Sequence, residues 1–154
     1  MSPTCQHTLA RSASFSGVGV HSGRMVNVTV RPAAPGAGVR FIRTDLAGRN
    51  RVVAASAICV SDTRLSTTIA NTDGVTVATV EHLMAVFCAL AIDNAVVEID
   101  GPETPIMDGS CQPFVRAIDR GGRIAQPAME PVEDVHSQQA EELEIPSFLR
   151  RLAN

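Results

Sequence analysis

Met25-Val26-Asn27-Val28-Thr29-Val30-Arg31 alternates without a break, with Val26, Val28 and Val30 on one face and Met25, Asn27, Thr29 and Arg31 on the other. Successive side chains of a strand point to opposite sides, so this period-two pattern predicts a half-buried strand. Pro32 to Gly38 then reads as a turn. Val39 to Arg43, Val52 to Val60, Leu65 to Ala70, Val75 to Thr79 and Ala95 to Ile99 are further strands, and Asp73-Gly74 is a hairpin signal ahead of the fourth of these.

Between the last two strands the period changes. Leu83, Val86, Phe87 and Leu90 fall at helical spacing, which predicts a helix from about Val80 to Leu90 with Thr79 as its N-cap. A second helix follows Asp108-Gly109, with Ser110 as N-cap, Phe114, Val115 and Ile118 as its apolar side, and Gly121-Gly122 as its stop. Strands in a run with two helices, and no regular alternation of the two, indicate an α+β two-layer sandwich: one five- to six-stranded sheet carrying two helices. At 154 residues and 45% apolar content, the chain can bury one domain's core.

That domain is expected to span residues 1–125. From Gln126 to Glu144 the sequence is rich in Pro, Gln, Glu and Asp and poor in large apolar residues, the signature of a flexible acidic linker. Residues 145–154 regain a pattern, with Ile145, Phe148, Leu149 and Leu152 on one face of a short helix that Ser147 could cap. So short a helix is marginal alone and needs a partner's groove.

A net charge of -3 leaves no basic stripe, and the absence of Trp and Tyr removes the usual stacking platforms, so nucleic acid is not an expected partner. Cys5, Cys59, Cys88 and Cys111 are far apart and form no CxxC pair, which fits reduced thiols in the cytoplasm. Residues 1–7 lack the apolar run of a signal peptide. Leu83 to Ile92 is the longest apolar run and falls short of the about 20 residues a membrane span takes, so a soluble cytoplasmic protein is expected.

Glu81 and His82 set a carboxylate beside an imidazole at a helix start. The helix dipole disfavours extra positive charge there, which suits a neutral, metal-ligating His82, and helical phase places Glu81 roughly opposite the core face. Such a pair can divide labour, with the imidazole holding zinc and the carboxylate taking a proton from water. The pair alone reads more readily as a carboxylate complementing the dipole beside a hydrogen-bonded surface or boundary histidine. It lacks the HExxH spacing that aligns two histidines on one helical face, and His7, His21 and His136 have no spacing that joins them to His82.

Gly17-Val18-Gly19-Val20-His21-Ser22-Gly23, Arg31-Pro32-Ala33, Thr79-Val80-Glu81-His82-Leu83-Met84-Ala85, and Pro105-Ile106-Met107-Asp108-Gly109-Ser110 with Pro113-Phe114 together carry a resemblance. From about Thr8 to Arg123 the chain resembles the N-terminal half of UDP-3-O-acyl-N-acetylglucosamine deacetylase, the zinc amidohydrolase of lipid A synthesis in Gram-negative bacteria. The resemblance implies that Glu81 is the general base and His82 a zinc ligand. It also implies that Leu65 and Ser66 line the substrate site, Ser66 standing where some members have cysteine. His21 and Asp108 match motif positions near that site; each reads equally as a turn residue, His21 between Gly19 and Gly23 and Asp108 at the head of an Asp-Gly turn.

Members of that family have two similar α+β halves, and the second supplies the remaining zinc ligands, a charge-stabilising histidine and the insert that receives the acyl chain. Nothing after Arg123 matches them. The resemblance therefore implies that Glu81 and His82 alone do not hold catalytic zinc and that the isolated chain is inactive. A separately encoded second half, or self-association through the domain's exposed face, would be the partner. The last residues, with Ile145, Phe148, Leu149 and Arg150 as contact residues, are similar to the C-terminal peptide of the bacterial tubulin-like division GTPase. That likeness implies a non-catalytic alternative, in which the tail binds cell-division proteins.

Overall fold

The structure, a computed structural model, describes residues 5–48 and 50–127. Its elements run β1 (Gln6–Leu9), β2 (Ala13–Val18), β3 (Met25–Pro32), β4 (Val39–Arg43), β5 (Val52–Ala54), a 3-10 turn at Ala57–Cys59, β6 (Val60–Asp62), β7 (Thr68–Ala70), β8 (Thr76–Val77), α1 (Glu81–Ala89), β9 (Ala95–Ile99), α2 (Gln112–Gly121) and β10 (Arg123–Gln126). The main sheet has the order β2-β3-β9-β4-β5. All its pairings are antiparallel except β4 with β9, which are joined by a crossover that contains α1. Helices and a mixed five-stranded sheet make the α+β arrangement expected from the sequence.

The core follows from the alternation. Val26, Val28 and Val30 of β3, Phe41 of β4 and Ala95, Val97 and Ile99 of β9 are all buried. Leu83, Val86 and Phe87 of α1 and Phe114 and Ile118 of α2 join the same cluster. Phe114 meets the ring of Phe15 edge-on, with centroids 5.2 Å apart. Burying such a side chain contributes about 1.5–3 kcal/mol, so this contact helps to hold α2 to β2. Leu90, expected on the core face of α1, is instead the C-cap and only partly buried.

Several local expectations are corrected. Val52 to Val60 is not one strand: pairing stops at Ala54, the 3-10 turn intervenes, and Ile58 is left 94% exposed. The strand expected at Leu65 begins only at Thr68, because residues 64–66 bend and Leu65 projects into solvent. Thr76–Val77 is all that remains of the expected Val75–Thr79 strand, since Thr79 has φ +59°. Asp73-Gly74 does make the hairpin between β7 and β8, with Gly74 at φ +77° and the Asn71 side chain accepting from the N–H groups of Asp73 and Val75.

Neither expected N-cap sits at the cap position. Val80 precedes α1 in helical conformation with no side-chain cap, and Thr79 turns its hydroxyl elsewhere. Cys111 precedes α2, while the Ser110 hydroxyl accepts from the Gln112 N–H at 3.2 Å and so does part of the capping one residue early. Gly122, at φ +69°, ends α2 as expected.

Strands β1, β2 and β10 carry no strong alternation and were not expected. Gln126, the first residue of the acidic stretch in the sequence reading, closes β10 opposite Gln6. Its side chain is bonded to Asn94 Nδ2 at 2.7 Å and donates to the Ala33 carbonyl at 2.7 Å. The expected linker from 128 onward and the peptide with Ile145, Phe148, Leu149 and Arg150 lie outside the described residues.

Candidate functional site

A Gly19-to-Gly23 turn follows β2, closed by the Gly23 N–H on the Gly19 carbonyl at 2.9 Å. It brings His21 to the rim of a cleft of about 480 Å³ that is also lined by Asp62, Arg64, Leu65, Ser66, Thr68 and Ala78. Three residues singled out in the sequence, His21, Leu65 and Ser66, thus line one cleft. Arg64 is tied to Asp62 through two nitrogens, with Nη2 to Oδ2 at 2.7 Å and Nε to Oδ1 at 3.0 Å. Hydrogen bonds from the Arg64 guanidinium hold the Asp62 carboxyl well below the usual carboxylate range.

Glu81 adjoins this cleft through Thr67, which lies between the lining residues Ser66 and Thr68. The Thr67 N–H donates to Glu81 Oε2 at 2.9 Å, and Oε1 takes no hydrogen bond from any described residue. A carboxylate fixed by one oxygen and open at the other is arranged to take a proton. The His82 side chain is half-buried and forms no hydrogen bond or ion pair among the described residues, although its carbonyl receives a weak bond from the Cys111 thiol. Its ring nitrogens therefore have no competing protein partner there. Among the described residues no three His, Cys, Asp or Glu side chains are grouped to hold a metal. A catalytic zinc takes three protein ligands, so His82 could be one donor but these residues do not complete a centre.

Asp108 makes the contacts of a turn residue. Its Oδ1 accepts from the Ser110 N–H and hydroxyl, which together hold its carboxyl below the ordinary value, and Gly109 follows at φ +83°.

Two residues organise this region, Glu103, which the sequence did not single out, and Thr79, which it marked only as a helix cap. Glu103 is 2% exposed, and its carboxylate collects the His21 N–H at 3.0 Å, the Ser22 N–H at 2.7 Å and the Thr79 hydroxyl at 3.0 Å. Burial would raise the pKa of this group; the donors from His21, Ser22 and Thr79 outweigh it and hold the carboxyl below its ordinary value. Thr79 is the other. A β-branched residue at φ +59° is an outlier that costs about 1–3 kcal/mol and persists only where its surroundings fix it. Here the fixing contacts are the hydroxyl bond to Glu103, a bond from the Thr104 hydroxyl to the Thr79 carbonyl, and the pairing of Ala78 with Pro102 and Thr104. Only the run Gly101-Pro102-Glu103-Thr104-Pro105, a carboxylate framed by turn-formers, could have drawn attention to this segment.

Residues 6–145 match the family model described as UDP-3-O-acyl N-acetylglycosamine deacetylase. The chain is 54% identical over 123 residues to the UDP-3-O-acyl-N-acetylglucosamine deacetylase of Phenylobacterium zucineum, covering 80% of this chain and 42% of that relative. It is 54% identical over 123 residues to the enzyme of that name from Myxococcus xanthus, covering 80% of this chain and 38% of the relative. Against that of Citrifermentans bemidjiense it is 52% identical over 117 residues, or 76% of this chain and 38% of the relative. The chain thus spans about two fifths of the length of the curated relatives it matches.

Proposed function

The chain belongs to the UDP-3-O-acyl N-acetylglycosamine deacetylase family, and from that premise we propose that it forms the general-base half of a zinc-dependent deacetylase site acting in lipid A synthesis. The observation that carries this is the Glu81 carboxylate, held by the Thr67 N–H beside a cleft and followed directly by a histidine free of protein partners among the described residues. Glu81 Oε1 is the atom that receives the proton of the attacking water, while Oε2 stays on Thr67 and fixes the orientation. His82 is one of the zinc donors; the others come from outside the described residues, in the same polypeptide or a second one. When bound, zinc would polarise the acetyl carbonyl and acidify the water. Leu65 and Ser66 line the substrate side of the cleft.

A cytoplasmic setting is part of the proposal. All four cysteines are free in the structure, in keeping with a reducing compartment. No helix among the described residues is long and apolar enough to cross a membrane.

A chimera tests the reading. Residues 6–126 replace the matching portion of the Phenylobacterium zucineum relative, and acetate release from UDP-3-O-acyl-N-acetylglucosamine is measured with zinc. We expect turnover, a loss of about 10²–10⁴-fold on Glu81→Gln with bound zinc retained, and loss of zinc on His82→Ala. Zinc-replete chimera without turnover, or Glu81→Gln at wild-type rate, refutes it.

A further inference from the structure

We propose that Glu103 is a positioning residue that sets the placement of Glu81 and His82 and of the His21 turn at the same time; this rests on the deacetylase reading above. The geometry is one buried carboxylate shared by two segments that both border the cleft. From one side come the N–H groups of His21 and Ser22, from the other the hydroxyl of Thr79, the second residue before Glu81. Thr79 holds a left-handed backbone that turns the chain from β8 into α1, so its orientation decides where the first helical residues point. Val80 then donates to the Thr67 carbonyl at 3.2 Å while the Thr67 N–H holds Glu81, so the start of α1 and the cleft wall are laced together. Gly19 closes the arrangement from above: a Cβ there would lie 2.9 Å from Glu103 Cδ, so only glycine allows the turn to sit this close to the carboxylate.

Glu103 does not line the cleft, and nothing places it against substrate. Its role is carried through the groups it binds. A carboxylate is suited to this because its two oxygens are acceptors only, and every neighbour it meets here is a donor. Glutamine at this position keeps the shape but leaves a single acceptor oxygen and turns an N–H₂ toward another donor.

The test is amide NMR on the 154-residue chain, with Glu103→Gln, Thr79→Val and Thr79→Ser. We expect Glu103→Gln to shift the amides of His21, Ser22, Glu81 and His82 together, while those of Val28, Phe41 and Val97 stay in place. Thr79→Val should shift Glu81 and His82, and Thr79→Ser, which keeps the hydroxyl, should leave them at their wild-type positions. A folded Glu103→Gln chain with Glu81 and His82 unmoved overturns the proposal. If Glu103→Gln does not fold, identical Glu81 and His82 resonances in Thr79→Val and Thr79→Ser overturn it instead. In the chimera described above, Glu103→Gln should lower kcat by about ten- to a hundredfold with KM near wild type, and an unchanged kcat is a refutation. A chimera with no turnover in its wild-type form counts against the deacetylase reading alone, and the amide shifts then decide the role of Glu103.

Discussion

Gly19→Ala and Gly23→Ala replace two glycines of the same turn, yet the structure assigns them different penalties. Gly23 has φ +63° and open space around an added methyl group, so its cost is one of backbone conformation. A left-handed alanine costs about 1–2 kcal/mol, and stiffening the unfolded chain returns about 0.4–1 kcal/mol of this, leaving about 1 kcal/mol. Gly19 is not in the left-handed region, and its cost is steric. The new Cβ would meet Glu103 Oε2, Glu103 Cδ and Ser22 Oγ, and the buried carboxylate has no room to withdraw without releasing donors. Overpacking costs about 1–3 kcal/mol, and losing a hydrogen bond to a charged acceptor about 1.5–3 kcal/mol. The two overlap, because the movement that relieves the clash is the one that breaks the bond, so we expect about 2–4 kcal/mol. Urea unfolding with a common m-value measures both variants. In a Glu103→Ala background only the Ser22 hydroxyl, the end of a side chain that can rotate away, still meets the new Cβ, and the Gly19→Ala penalty should fall below about 1 kcal/mol, as a coupled pair requires. A Gly19→Ala penalty no larger than that of Gly23→Ala, or one unchanged by Glu103→Ala, refutes the reasoning.

Two further outcomes follow from backbone and charge. Ala91, directly after the C-cap of α1, sits at φ +50°, so Ala91→Gly should stabilise the chain by about 0.5–1 kcal/mol in urea unfolding; a destabilised variant contradicts this. The Glu103 carboxyl is held below its ordinary value of 4.5, so its stabilising contribution is complete above that pH and is lost as the pH falls through the lower folded value. The stability gap between wild type and Glu103→Gln should accordingly be constant near neutrality and shrink below pH 4.5. A gap that persists unchanged into acid, measured by urea titration at a series of pH values, would disprove that link.

What could be read from the residues divides along physical lines. β3, β4 and β9 are central strands whose inner faces meet the core, so apolar alternation marks them, and Val39–Arg43 and Ala95–Ile99 have the bounds expected. β1 and β10 are secured instead by pairing across the length of the domain and by a polar cluster around Asn94, in which its amide bonds both Gln6 and Gln126. No local pattern encodes that. The same contrast holds at the site. Glu81 and His82 are neighbours in sequence and stand out as a motif, whereas Glu103 reaches Thr79 across 24 residues and His21 across 82. The left-handed Thr79 was equally hidden, because threonine before a helix ordinarily signals a cap.

The pairing of β1 with β10 also has a mechanical meaning. Gln6 opposes Gln126 and Leu9 opposes Arg123, so the polypeptide enters and leaves this domain side by side. Tension applied between those two points would open the antiparallel pair from the Gln6 and Gln126 end, and the side-chain bonds that tie these residues to Asn94 and Ala33 would pass part of the load to the ends of β9 and β3. The same closeness makes the domain a plug-in module: a short bridge between residues 6 and 126 could join them, and new termini could be opened at the tip of the Asp73-Gly74 hairpin without cutting a strand of the main sheet.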